Sequence, residues 1–148
     1  MINFNEAVNI SNTHVLALVP ELFHLEGYNI HIIPPHEGGR NVVYTCEQEG
    51  RESLILRVSF LPDRKREDYI AELEYVRYLF EHDASVSNVV SSKKGHLLEE
   101  ITYDEHTFFI CMFVKGSHLP NTIIIAAKFW EKCISYRKGT LPSIAGII

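Results

Sequence analysis

The chain has 148 residues, 46% of them hydrophobic and 22% charged, with a formal net charge of −5 and a pI near 5.9. A chain of this size buries roughly 70% of its unfolded surface and needs no disulfide to stay folded, so one globular unit is expected. The acidic balance gives no field for nucleic acid beyond the short run Arg64-Lys65-Arg66, no apolar stretch reaches membrane-spanning length, and Cys46, Cys111 and Cys133 have neither zinc nor disulfide spacing.

A reducing cytoplasm fits the cysteines, and the N-terminus has no basic segment followed by an apolar core. Ser11, Asn12 and Thr13 offer capping oxygens before His14-Val15-Leu16, and Gly27 is placed to end the helical segment they open. This pattern predicts an amphipathic N-terminal helix within residues 1–27. Pro20 lacks an N–H, so a kink or a helix restart is expected there.

Residues 28–33 alternate polar and apolar side chains before Pro34-Pro35, and residues 41–46 are β-branched and aromatic after Gly38-Gly39. They read as a hairpin. After a turn at Gln48-Glu49-Gly50-Arg51, residues 53–60 form a nearly continuous apolar strand interrupted by Arg57. Asp63, following Pro62, is placed to cap a helix whose apolar positions Ile70, Leu73, Val76, Leu79 and Phe80 recur at helical spacing. Residues 86–90 lead into the polar turn 91–95, after which residues 96–101 and 107–114 read as two further strands. The expected class is α+β: a five-stranded antiparallel sheet with one crossing helix over residues 28–116. Lys115-Gly116-Ser117-His118-Leu119-Pro120 breaks the pattern, and residues 123–134, with Phe129 and Trp130, predict an apolar helical segment within 117–148.

A Gly-Gly pair between strands lets backbone amides approach a phosphate, although an ordinary hairpin turn uses the same residues. Arg57 is more demanding, because a guanidinium on an apolar strand must reach the strand's edge or meet an anion. Glu72, on the following helix, is its expected partner, while the rival acid Glu74 is expected to face water. A structural ion pair and a cation aimed at phosphate are both open at this point. Glu99-Glu100 with Asp104-Glu105-His106 reads as a solvated acidic turn, and Cys111 as a packing residue.

Taken in order, Gly38, Gly39, Asn41, Val43 and Tyr44, the strand Leu54-Ile55-Leu56-Arg57-Val58, the helix residues Glu72, Glu74, Tyr75, Tyr78 and Leu79, and residues 107–116 resemble a known arrangement. It is the N-terminal lobe of the aminoglycoside phosphotransferase and choline kinase-like families, which share the protein-kinase-like fold. The resemblance covers residues 28–120. It implies a glycine flap over ATP, Arg57 held by Glu72 at the phosphates, and adenine against Val43 and Leu56 with its edge at the backbone of Phe113 and Val114. An Arg in place of the usual Lys points toward small-molecule acceptors.

The resemblance also implies a C-terminal lobe with an H-x-D-x-x-x-x-N catalytic loop and a magnesium-binding Asp. No His-x-Asp triplet occurs in these residues, His82-Asp83 being the nearest, and beyond His106 the only carboxylate side chain is Glu131. A truncated small-molecule kinase is therefore expected, with weak or vestigial ATP binding, no catalysis by itself, and magnesium bound only if a complete C-lobe is supplied. The other reading is a non-enzymatic interaction module, in which Ile123, Ile124, Ile125, Phe129 and Trp130 drive homo-oligomerisation or capture a partner covering the hinge face.

Overall fold

The computed structural model describes residues 2–34 and 39–116. Gly38, the apolar segment 123–134 and the rest of residues 117–148 lie outside the described residues. The elements in chain order are α1 (Phe4–Ile10), a π-helical turn (Ser11–Val15), α2 (Leu16–Leu22), β1 (Asn29–Ile32), β2 (Asn41–Glu47), β3 (Leu54–Ser59), α3 (Arg66–Glu81), β4 (Val89–Val90), β5 (Glu99–Tyr103) and β6 (His106–Val114).

The strands form one antiparallel sheet in the order β1-β2-β3-β6-β4, with β5 also pairing to β6. The nine-residue β6 accommodates both, meeting β5 from His106 to Ile110 and β4 at Met112 and Phe113. β4 is an addition to the five strands expected, and its two residues are too few to show a period-2 signal. β3 lies between β2 and β6, and every one of its residues is buried. A continuous apolar run is what a strand covered on both faces requires.

Successive side chains of β3 point to opposite faces. Leu54, Leu56 and Val58 join Val42, Tyr44, Cys46, Ile110 and Met112 under Ala7, Val15 and Val19 of the N-terminal helices. Ile55 faces the other way, packing with Tyr69, Leu73, Val76 and Leu79 of α3 and with Cys111 and Phe113 of β6. The sheet is thus sandwiched between the N-terminal helical segment and α3. Each layer supplies the cover that the sheet cannot give itself.

The N-terminal helix starts earlier than its sequence signal suggested. Asn3 Oδ1 accepts the Glu6 N–H at 2.9 Å, and the Glu6 carboxylate accepts the Asn3 N–H at 3.0 Å. This reciprocal capping box satisfies two otherwise free donors and outcompetes the Ser11-Asn12-Thr13 signal. Those residues instead fall in the π-helical turn, closed by the Leu16 N–H donating to the Ser11 carbonyl. The irregularity expected at Pro20 thus lies one turn earlier, and Pro20 sits inside α2. The wide turn presents Ser11 to the sheet, where its Oγ is 2.8 Å from the buried Tyr44 hydroxyl; Asn12 Oδ1 accepts from that hydroxyl at 2.6 Å.

The start of α3 is also displaced from the Asp63 signal. Lys65 takes the capping position with extended backbone, and its N–H donates to Asp68 Oδ2 at 2.9 Å. Asp63 instead pairs with Arg40, just beyond Gly39. At the far end of the sheet, β5 and β6 are joined by Asp104 and Glu105, with φ of 47° and 65°. A two-residue turn of this kind favours Asn-Gly or Asp-Gly, so Asp104 suits its place and Glu105 stands where glycine is preferred.

Two consequences are measurable by urea unfolding. Tyr44→Phe leaves the buried Ser11 hydroxyl without its partner and lowers stability by about 1–2 kcal/mol, whereas an unchanged midpoint would show that the bond contributes nothing. Glu105→Gly relieves a left-handed backbone position and raises stability by roughly 0.5–1 kcal/mol; a lower midpoint would contradict strain at the turn.

Candidate functional site: a carboxylate between two guanidinium groups

β2 and β3 pair so that Val43 lies opposite Arg57 and Asn41 opposite Ser59. Alternation puts Asn41, Val43, Ile55, Arg57 and Ser59 on the face that carries α3. The place of Arg57 is set by its register: it shares the strand's apolar setting, yet its guanidinium reaches the first half of α3. There Glu72 is turned inward, one helical turn from Tyr69 and Val76.

Arg57 Nη1 donates to Glu72 Oε1 at 2.6 Å, and the two side chains are 8% and 1% exposed. The other carboxylate oxygen is taken as well, since Arg64 Nη2 donates to Glu72 Oε2 at 2.5 Å. One carboxylate therefore holds a strand guanidinium and a loop guanidinium together. The Arg64 guanidinium also lies 4.2 Å over the Tyr69 ring, and that of Arg57 is 5.3 Å from the Phe113 ring. Both cations are thus flanked by aromatic faces, which attract positive charge.

Arg57 Nε and its second Nη are buried without a hydrogen-bond partner among the described residues. Burial by itself works against the charged guanidinium, but the paired Glu72 carboxylate opposes it, and the Arg57 pKa is held above its ordinary value. Burial pushes the Cys111 thiol up, so the thiol stays neutral and Glu72 supplies the negative charge. Glu74, on the same helix, is exposed.

The residues named from sequence are not all brought together. Gly39, at the foot of β2, is half-buried, and Asn41 Oδ1 accepts from Ser59 Oγ at 2.7 Å. Val43, Arg57, Glu72 and Phe113 share the α3 face. Leu56 does not: it is fully buried against the N-terminal helices, and Ile55 holds the corresponding place beside Arg57 and Phe113. The Val114 N–H already donates to the Asn88 carbonyl at 3.0 Å, and the Lys115 N–H to the Ser53 carbonyl at 2.8 Å. Neither amide is left over for another acceptor.

Sequence reasoning misses Arg64 as a site residue. It reads as part of a basic run, and its only signal is that it stands eight residues before Glu72, about two helical turns, on the side that the carboxylate faces. Among the described residues, no three His, Cys, Asp or Glu side chains are grouped to hold a metal ion, and no helix is long and apolar enough to cross a membrane.

Comparison with solved structures places this architecture. An amicoumacin kinase, solved in complex with AMP-PNP, Ca2+ and Ami, superposes with a TM-score of 0.62 at 23% identity, over 76% of this chain and 34% of its own. The fold is that of a kinase-like N-terminal lobe. A microcompartment-associated aminopropanol kinase superposes with a TM-score of 0.56 at 16% identity, over 68% of this chain and 30% of its own. The chain thus spans about a third of the length of these kinases. No family model matches it, and no curated protein does.

The buried lobe interior makes its own predictions. Removing Glu72 leaves two guanidinium groups facing each other, so Glu72→Ala lowers stability by about 3–5 kcal/mol in urea unfolding, against less than about 0.5 kcal/mol for the exposed Glu74→Ala. Equal effects would show that the cluster is not buried in solution. Burial pushes the Cys46 thiol from 9.0 up to about 12. The raised value means that stability from the neutral thiol is complete below 9.0 and is lost as pH climbs toward about 12. Cys46 and Cys111 therefore resist alkylation at neutral pH in the folded chain and react on unfolding, as peptide mass spectrometry would reveal; rapid native labelling of either contradicts the packing.

Proposed function

We propose that this chain is the nucleotide-holding lobe of an ATP-dependent small-molecule phosphotransferase. The observation that carries the reading is the buried Arg57–Glu72 pair on a kinase-like lobe. In that arrangement the acid fixes the cation's direction while phosphate provides its second counter-charge, which is how phosphoryl-transfer enzymes position their nucleotide. The unpartnered donors of Arg57 support this, because a purely structural pair gains nothing from leaving two N–H directions open.

The proposed contacts are those of the α3 face: Gly39 and the adjoining turn near the phosphates, Val43 and Ile55 against the adenine, and Arg57 oriented by Glu72. Gly38 belongs to the same turn in sequence. Phe113 and Val114 mark where the lobe meets whatever completes the cleft. The 23%-identical kinase structure that contains AMP-PNP supports a nucleotide as the ligand. The described residues do not fit magnesium, since no acids are grouped for it and Asp63 is engaged by Arg40. We therefore assign these residues no metal step and no proton transfer.

A one-walled cleft excludes little water, and its electrostatic contacts are correspondingly weakened. Titrating the labelled chain with ATP, followed by NMR, is expected to give a dissociation constant on the order of millimolar, with amide shifts centred on Gly39, Asn41 and Arg57 and no ATP turnover. Absence of any shift at these amides removes the nucleotide role and leaves the interaction-module reading. Micromolar affinity or measurable phosphoryl transfer would instead show that the cleft is complete.

A further inference from the structure

We infer that a cavity at the far end of the sheet binds a small organic monoamine, its ammonium met by Glu105 and its apolar body by Phe60 and Phe109. The site shares no residue with the nucleotide contacts proposed above and does not depend on them.

The cavity exists because two strands part. β3 pairs with β6 as far as Ser59 opposite Phe109, after which the chain turns away through Phe60, Leu61 and Pro62. β6 begins earlier, at His106, and over that stretch it is paired with β5 alone among the described strands. The gap between the departing loop and the start of β6 has a volume of about 230 Å³, and Ile2, just ahead of α1, also lines it. An apolar cavity of about 150 Å³ holds a benzene ring, so this one has room for a single ring or branched chain with a short polar arm.

The lining decides the class of ligand. Phe60, Leu61, Pro62 and Phe109 offer apolar surface, and aromatic faces attract positive charge as well as apolar groups. The polar groups come from the β5–β6 turn and the start of β6, where Glu105, His106 and Thr107 line the cavity. A strand edge that has lost its neighbour also presents backbone groups with no ladder partner, and an ammonium brings three donors to such acceptors.

Glu105 gives the cavity its sign. Among the described residues no hydrogen bond or ion pair engages its carboxylate. The acids beside the other walls are neutralised: Asp63, next to Pro62, pairs with Arg40, and Glu100, opposite Phe109, pairs with Arg66 at 3.4 Å. An entering ammonium is therefore attracted at this turn, and an entering carboxylate is repelled. The backbone points the same way. Glu105 has a φ of 65°, where glycine is preferred, so the turn keeps a carboxylate at the cavity at a cost in stability.

The test titrates the full chain with 2-phenylethylamine, 2-phenylethanol and phenylacetate, followed by NMR, with Glu105→Gln and Glu105→Gly alongside. The amine is expected to bind with a dissociation constant on the order of millimolar, with shifts centred on Ile2, Phe60, Thr107 and Phe109. It should bind about fivefold more tightly than the alcohol, and phenylacetate more weakly than either. Glu105→Gln should erase the preference for amine over alcohol; Glu105→Gly should do the same while raising the urea midpoint, which separates lost binding from lost folding. Equal affinity for amine and alcohol in the wild type, or an undiminished preference in Glu105→Gln, overturns the role of Glu105 and with it the inference. Absence of shifts with all three compounds, or shifts centred elsewhere, overturns the site itself. None of these titrations contains a nucleotide, so each failure leaves the nucleotide reading untouched.

Discussion

A single buried acid governs the inner face of this lobe. Glu72 is almost without solvent contact, and each of its oxygens is engaged by a guanidinium from a different part of the chain. Charges removed from water are tolerated only when paired with good geometry, so α3, β3 and the loop between them are fixed relative to one another by the same carboxylate. This constraint sets the position of Arg57. Its strand delivers it to the α3 face, and the acid decides where its donors point.

The sheet makes that arrangement possible. β3 lies between β2 and β6, and its period of two separates apolar residues for the N-terminal helices from the mixed set that meets α3. The helical cover is anchored to the sheet by the Tyr44 hydroxyl, reached from a π-helical turn that carries Ser11 and Asn12 inward. That face of the sheet is given to packing against the helices. The other combines packing with unspent hydrogen-bonding capacity at Arg57, which is the physical basis for reading it as a binding face.

Similarity to two small-molecule kinases over about a third of their length establishes the fold of the lobe. The acids that bind metal and accept a proton in phosphoryl transfer are not gathered among the described residues.

The sequence by itself determined the element order, the crossing helix and the Arg57–Glu72 pair. Period-2 alternation, a 3.6-residue stripe and a cation stranded on an apolar strand are all local signals. It misjudged both helix starts, since a capping oxygen announces a possible end without revealing that Asn3 with Glu6, or Lys65 with Asp68, forms the better network. It also grouped Leu56 with Arg57 and passed over Ile55 and Arg64, which are the residues that lie on the α3 side with it. Which face a strand residue occupies depends on register against its neighbours, and a loop cation's partner depends on where the chain returns in space. The convergence of Arg57 and Arg64 on one carboxylate was decided only by the tertiary structure, because it joins a strand, a loop and a helix whose relative placement no local pattern encodes.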